Sequence, residues 1–207
     1  MAMLFLKNLG RALGFVVLLA ATADGGEIQC GGVGCENLRI RCRGIEPCYV
    51  GIMAADDTYY VAVTHKPAGQ GPMEVVMLDR VVNVSIHTGP GDDFVGLIKA
   101  RIAGNLRVYT GRGDDSVGTE DGAVIGHTRI DTGTGNDTVF FPTPMYGPVL
   151  VATGRGDDYV AMGFFPPVAS DDHKRFDGGA GDDSIALTVV PPLRPATVNR
   201  FETVGPY

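Results

Sequence analysis

One turn recurs five times along this chain, and that recurrence constrains the fold more than any other property. The copies begin at Thr88, Thr110, Thr132, Thr153 and Gly178, at intervals of 22, 22, 21 and 25 residues. Each contributes two glycines: Gly89 and Gly91, Gly111 and Gly113, Gly133 and Gly135, Gly154 and Gly156, Gly179 and Gly181. An acidic pair follows in every copy: Asp92-Asp93, Asp114-Asp115, Asn136-Asp137, Asp157-Asp158 and Asp182-Asp183. A fixed period in this range marks stacked supersecondary units, because one such unit cannot bury its apolar face alone.

The flanks alternate as strands do. Two positions before each start stand Ile86, Val108, Ile130, Val151 and Phe176; after the acidic pair come Val95, Val117, Val139, Val160 and Ile185. Apolar residues at every second position on both sides of a turn predict strand, corner, strand, with those side chains inward. A unit of about 22 residues with one such corner fits one coil of a parallel β-helix, of which five to six are expected. Gly104-Asn105 suits a second bend. Ala54 to Tyr59 reads as a degenerate early corner, and Val198 to Val204 as a last strand without a turn. Pro166-Pro167 and Pro191-Pro192 should interrupt the late coils.

Thirty glycines and thirteen prolines among 207 residues, with no apolar 3.6-residue period, leave little room for helix. Residues 1–23 read as an export signal: Lys7 and Arg11, a short apolar run, then Ala21-Thr22-Ala23 as a cleavage site. The run is short of the roughly 20 residues a spanning helix needs, so no membrane span is expected once it is removed. Cys30, Cys35, Cys42 and Cys48 all fall within 24–50, where an exported chain forms disulfides; three connectivities are open. They would staple a cap on the first coil, with the solenoid over 51–207 and its regular part over 88–187. Secretion, the periplasm or the cell surface follows.

Without the signal, 15 basic residues face 24 acidic ones, a net charge of −9. The turns hold nine carboxylates, the same number as the surplus. Like charges stacked about 4.8 Å apart repel by about 0.9 kcal/mol even in water. A counterion or strong hydrogen bonding is required. Calcium, a hard cation taking oxygen ligands, suits Asp92, Asp93, Asp114, Asp115, Asn136, Asp137, Asp157, Asp158, Asp182 and Asp183, with about four ions between successive turns. Metal-free turns, in which aspartates cap backbone N–H groups, are the alternative.

The turns resemble the hemolysin-type calcium-binding (RTX) nonapeptide G-G-x-G-x-D-x-U-x. The resemblance implies that Asp93, Asp115, Asp137, Asp158 and Asp183 are calcium ligands. Two departures stand out. Threonine replaces the leading glycine in four copies, and each long coil holds one turn where the family's roll has two.

Outward positions before the turns include Arg107, Tyr109, Arg129 and Arg175, a face suited to acidic polysaccharide or cell-surface components, or a solvated face paired by Asp131 and Asp177. Lyase- or epimerase-like chemistry on polysaccharide is the enzymatic alternative, but no compact set of acid, base and His emerges. The Arg-Gly-Asp triplets at Arg112 and Arg155 arise trivially from the repeat. His65, His87, His127 and His173 share no ligand spacing, and a net negative chain disfavours nucleic acid. The expectation is therefore an exported, calcium-binding β-solenoid serving as a structural or interaction module.

Overall fold

A computed structural model describes residues 17–21, 26–32, 35–55, 58–65, 74–78, 81–142, 145–163, 174–187 and 197–206. The chain opens with strands β1 (Val17–Ala21), β2 (Glu27–Gly31), β3 (Asn37–Arg41), β4 (Tyr49–Ala55), β5 (Thr58–Thr64) and β6 (Glu74–Leu78). The repeats follow as β7 (Asn83–Pro90), β8 (Phe94–Ile98), β9 (Arg101–Ile102), β10 (Leu106–Arg112), β11 (Ser116–Glu120), β12 (Ala123–Val124), β13 (Thr128–Thr134) and β14 (Thr138–Phe141). The last coils supply β15 (Val149–Arg155), β16 (Tyr159–Met162), β17 (Lys174–Ala180), β18 (Ser184–Leu187), β19 (Thr197–Asn199) and β20 (Thr203–Pro206).

These strands build a parallel β-solenoid. One nine-stranded sheet runs β1-β2-β3-β7-β10-β13-β15-β17-β19; the other runs β20-β18-β16-β14-β11-β8-β4-β5-β6. From β3 to β19 in the first sheet and from β4 through β8 to β20 in the second, every pairing is parallel and joins equivalent residues of neighbouring coils, as in Val108 beside Ile86 and Ile130. A short third side pairs β9 with β12 and bridges Val124 to Met145. The bend at Gly104 stacks in register too: Gly126 N–H donates to Gly104 O at 2.9 Å. The expected inward positions are the core. Ile86, Val108, Ile130, Val151 and Phe176 are fully buried, as are Val95, Val117, Val139 and Val160.

Both ends differ from the sequence reading. Ala54 to Tyr59 is not a corner: β4 and β5 pair antiparallel, Ala55 opposite Thr58, and β6 continues the hairpin sheet. Asp56 and Asp57 lie outside the described residues, as do Pro166, Pro167, Pro191, Pro192 and His173. Val198 to Val204 is two strands rather than one, because Arg200 (φ 55°) turns the chain between β19 and β20. Most of the expected leader also lies outside the described residues, but its Val17–Ala21 pairs antiparallel with β2. The disulfides are Cys30–Cys35 and Cys42–Cys48, which fixes the connectivity. Cys30–Cys35 closes the turn from β2 to β3; Cys42–Cys48 closes the corner from β3 to β4.

Candidate functional site

The repeated corner forms where β7, β10, β13, β15 and β17 run into paired glycines at positive φ. Gly133 sits at φ 100°, and a Cβ there would lie 2.0 Å from the Gly111 carbonyl oxygen. Positive φ and this close approach admit only glycine. They let successive corners stack directly.

The acidic pair divides into two columns with different environments. Asp93, Asp115, Asp137, Asp158 and Asp183 are buried, 1–2% exposed, whereas Asp92, Asp114, Asn136, Asp157 and Asp182 face solvent. Each inner Oδ1 accepts a backbone N–H from the preceding coil. Asp115 takes that of Asp93 at 2.8 Å, Asp137 that of Asp115 at 2.8 Å, Asp158 that of Asp137 at 2.8 Å and Asp183 that of Asp158 at 2.9 Å. The outer column runs the other way. Asp92 accepts from Asp114 N–H at 2.9 Å, Asp114 from Asn136 at 2.7 Å, Asn136 from Asp157 at 2.8 Å and Asp157 from Asp182 at 2.9 Å. Asn136 preserves its ladder because its Oδ1 is the same acceptor.

Threonine forms a third column, which the sequence reading left without a role. Thr88, Thr110, Thr132 and Thr153 are buried, and each hydroxyl donates to the next coil's carbonyl: Thr110, Thr132, Thr153 and Gly178, at 2.9–3.2 Å. The signal was present in the sequence as a threonine before four of the five Gly-x-Gly elements.

Each inner carboxylate keeps one oxygen unused. The Oδ2 atoms of Asp93, Asp115, Asp137, Asp158 and Asp183 are buried and have no hydrogen-bond partner among the described residues. Burial raises all five pKa values above the ordinary carboxylate range, against the lowering effect of the backbone N–H bonds and, for Asp93, Asp115, Asp137 and Asp158, of the nearby threonine hydroxyls. Asp115 reaches about 7, Asp137 and Asp158 about 6, and neighbouring inner aspartates add to the rise. The inner column therefore holds protons far more readily than free aspartate, and counting nine full charges overstates the surplus.

As a donor set for calcium, the column offers hard, buried oxygens with no other partner, the class that ion selects. The two acid positions do not contribute alike. The inner five have unpartnered buried oxygens, whereas the outer positions face solvent, so only the inner column fits an enclosed ion.

The terminal corners replace this chemistry while keeping its register. Cys42 and Cys48 stand level with Thr88 and Asp93, since Arg41 pairs with His87 and Tyr49 with Phe94. The Cys42–Cys48 disulfide thus takes the place of a threonine–aspartate pair, and Cys48 N–H donates to Asp93 Oδ1 at 2.6 Å. His65, largely buried, brings a ring nitrogen within 4.8 Å of both sulfurs. At the other end Glu202 Oε2 accepts the Asp183 N–H at 2.5 Å. Neither substitution was legible as a corner, because neither carries the Gly-x-Gly-Asp pattern.

The outer face of the first sheet brings together some of the expected ligand-face residues and separates others. Arg129 and Arg175 pair with Asp131 and Asp177 at 3.5 and 3.6 Å, and Arg200 joins Asp177 at 2.6 Å. Tyr109 stacks on His87, centroids 4.7 Å apart, and Arg129 lies 5.7 Å from its ring. Arg107 has no acidic partner among the described residues, and neither do Arg39 and Arg41, which the sequence reading assigned only to the cap. No family model matches the chain, and no curated protein or solved structure is significantly similar to it.

Proposed function

We propose that the chain is an exported structural and interaction module of the cell exterior, a rigid solenoid whose inner aspartate column takes up calcium. The observation that carries the calcium part is the set of five buried Oδ2 atoms without a partner. A buried polar oxygen left unpaired costs about 1–3 kcal/mol, so the column gains from anything that satisfies it. Asp93, Asp115, Asp137, Asp158 and Asp183 would hold the ions, and bound calcium would neutralise their charge and tie successive coils. The resemblance to RTX turns points the same way, and two disulfides suit an oxidising compartment.

A second reading, a metal-free column, is favoured by the Oδ1 atoms, each already bound to a backbone N–H, and by carboxyls that burial primes to hold protons. Proton and calcium then compete for the same oxygens, which separates the two readings. Under the calcium reading, titration calorimetry at pH 8, where the inner carboxylates are ionised, gives heat and a higher melting temperature than in chelator; at pH 5.5 binding weakens, and each ion taken up displaces protons. No heat and no shift at pH 8 would leave the metal-free scaffold standing alone.

A further inference from the structure

Arg39, Ser85 and Arg107 occupy successive rungs of the first sheet, in register across β3, β7 and β10. The small Ser85 side chain between two long ones leaves a notch, part of a cavity of about 240 Å³ walled by both arginines and edged by Asn37 and Asn83. The two guanidinium-bearing positions are about 9.6 Å apart, twice the strand spacing. Beside the notch His87 and Tyr109 form a stacked pair, with Ser85 Oγ 3.3 Å from His87 Nε2. Burial lowers the His87 pKa most, and the charges of Arg41 and then Arg39 lower it further, so both guanidinium groups act on this spot. The chain as a whole carries a net charge of −7. Unpaired positive charge concentrated on so acidic a protein calls for an anionic ligand.

We propose that this notch is a subsite for an acidic polysaccharide: Arg39 and Arg107 grip carboxylate or sulfate groups on alternate sugars, while the edges of the stacked Tyr109 and His87 rings border the bound chain. Guanidinium presents paired donors that match planar carboxylates and sulfate oxygens. The ring faces of the pair are taken up by each other and by Arg129, so their edges are what flank a sugar ring, a contact a bare anion does not need. Two charges two rungs apart fit the repeat of an extended disaccharide, and the open notch admits a chain running across the strands.

The proposal rests on the interaction-module part of the reading above and is independent of the corner. Loss of the calcium response would leave it intact, and absence of sugar binding would leave the corner chemistry intact. The full exported chain is titrated with a galacturonate hexamer, a sulfated oligosaccharide of similar length and the methyl-esterified hexamer, followed by calorimetry and amide chemical shifts. Binding of either charged chain but not the ester is expected, and comparison of the two arms identifies the anionic group preferred. Arg39→Gln and Arg107→Gln should each weaken binding tenfold or more, and Tyr109→Leu severalfold. Arg175→Gln, whose charge Asp177 already balances, should change it less than twofold. The first two side chains are exposed, and unchanged amide spectra elsewhere verify that the variants fold. Failure of both charged chains to bind at millimolar concentration overturns the proposal, as does wild-type affinity in Arg39→Gln and Arg107→Gln.

Discussion

Replacing Asp137, at the centre of the inner column, by alanine or by asparagine separates the two services that residue performs. Its Oδ1 accepts the Asp115 N–H at 2.8 Å, and its Oδ2 is buried without a partner. Alanine removes the acceptor and strands a buried N–H, which costs about 1–3 kcal/mol. A stability change of about 2 kcal/mol shifts the melting temperature of a chain this size by roughly 4–8 °C. Asparagine keeps the carbonyl acceptor and removes the carboxyl, as Asn136 already does in the outer column, where its Oδ1 holds the Asp157 N–H. In chelator at pH 5, where Asp137 still holds its proton, Asp137→Asn should therefore melt within about 2 °C of the parent, a change of no more than about 1 kcal/mol. In calcium it should lose part of the parent's stabilisation, because a ligand charge is gone. Circular dichroism melts of the three proteins, with and without calcium, read all four comparisons. Equal losses for alanine and asparagine in chelator would refute the ladder as the source of corner stability.

Two further outcomes follow from the same geometry. In chelator, stability should fall as pH rises from about 4 to about 7: unfolded aspartates ionise near 3.8, whereas Asp115 keeps its proton to about 7 and Asp137 and Asp158 to about 6. Each unit of that difference is worth about 1.4 kcal/mol. Urea midpoints at pH 5 and pH 8 measure the change, and a profile flat or rising over that interval contradicts it. Gly133→Ala places a Cβ 2.0 Å from the Gly111 carbonyl oxygen at φ 100°, so it should destabilise by about 2–5 kcal/mol from positive φ and overpacking together. Its urea midpoint decides; a loss below about 1 kcal/mol would mean that the corners do not stack this closely.

The repeat made the solenoid legible because each coil reuses one local solution. Val108 and Val117 had to be inward once Gly111 and Gly113 turned the chain between them, and both are fully buried. What stayed hidden is what the pattern treats as equivalent. Asp114 and Asp115 are adjacent and chemically identical, yet one faces solvent and accepts from the following coil while the other is buried and accepts from the preceding one. The nonapeptide resemblance singles out the second acid of each pair, but only stacking gives the two their opposite bonds. Cys48 and Glu202 escaped for the opposite reason: they fill the corner's role with unrelated chemistry, and register alone exposes the equivalence. β4 and β5 pair antiparallel because only two residues separate Ala55 from Thr58, too few to carry a coil round to the next rung, and β6 pairs antiparallel with β5 in turn. The arginine notch was half visible: Arg107 stood in the repeat, but Arg39 lies in an irregular coil, and the two meet only through the pairing of β3 with β7.

The opposed directions of the two acid columns have a consequence for how such a molecule can change length. An interior coil receives one side-chain bond from each neighbour and gives one to each, so neither face is left over when an identical coil is inserted beside it. The corner is in effect a self-templating monomer, and duplication of about 22 residues lengthens the rod without redesign. The cost falls entirely on the ends, where ordinary corners would face nothing. That is where the disulfide and Glu202 stand, as terminators of a polymer written into a single chain.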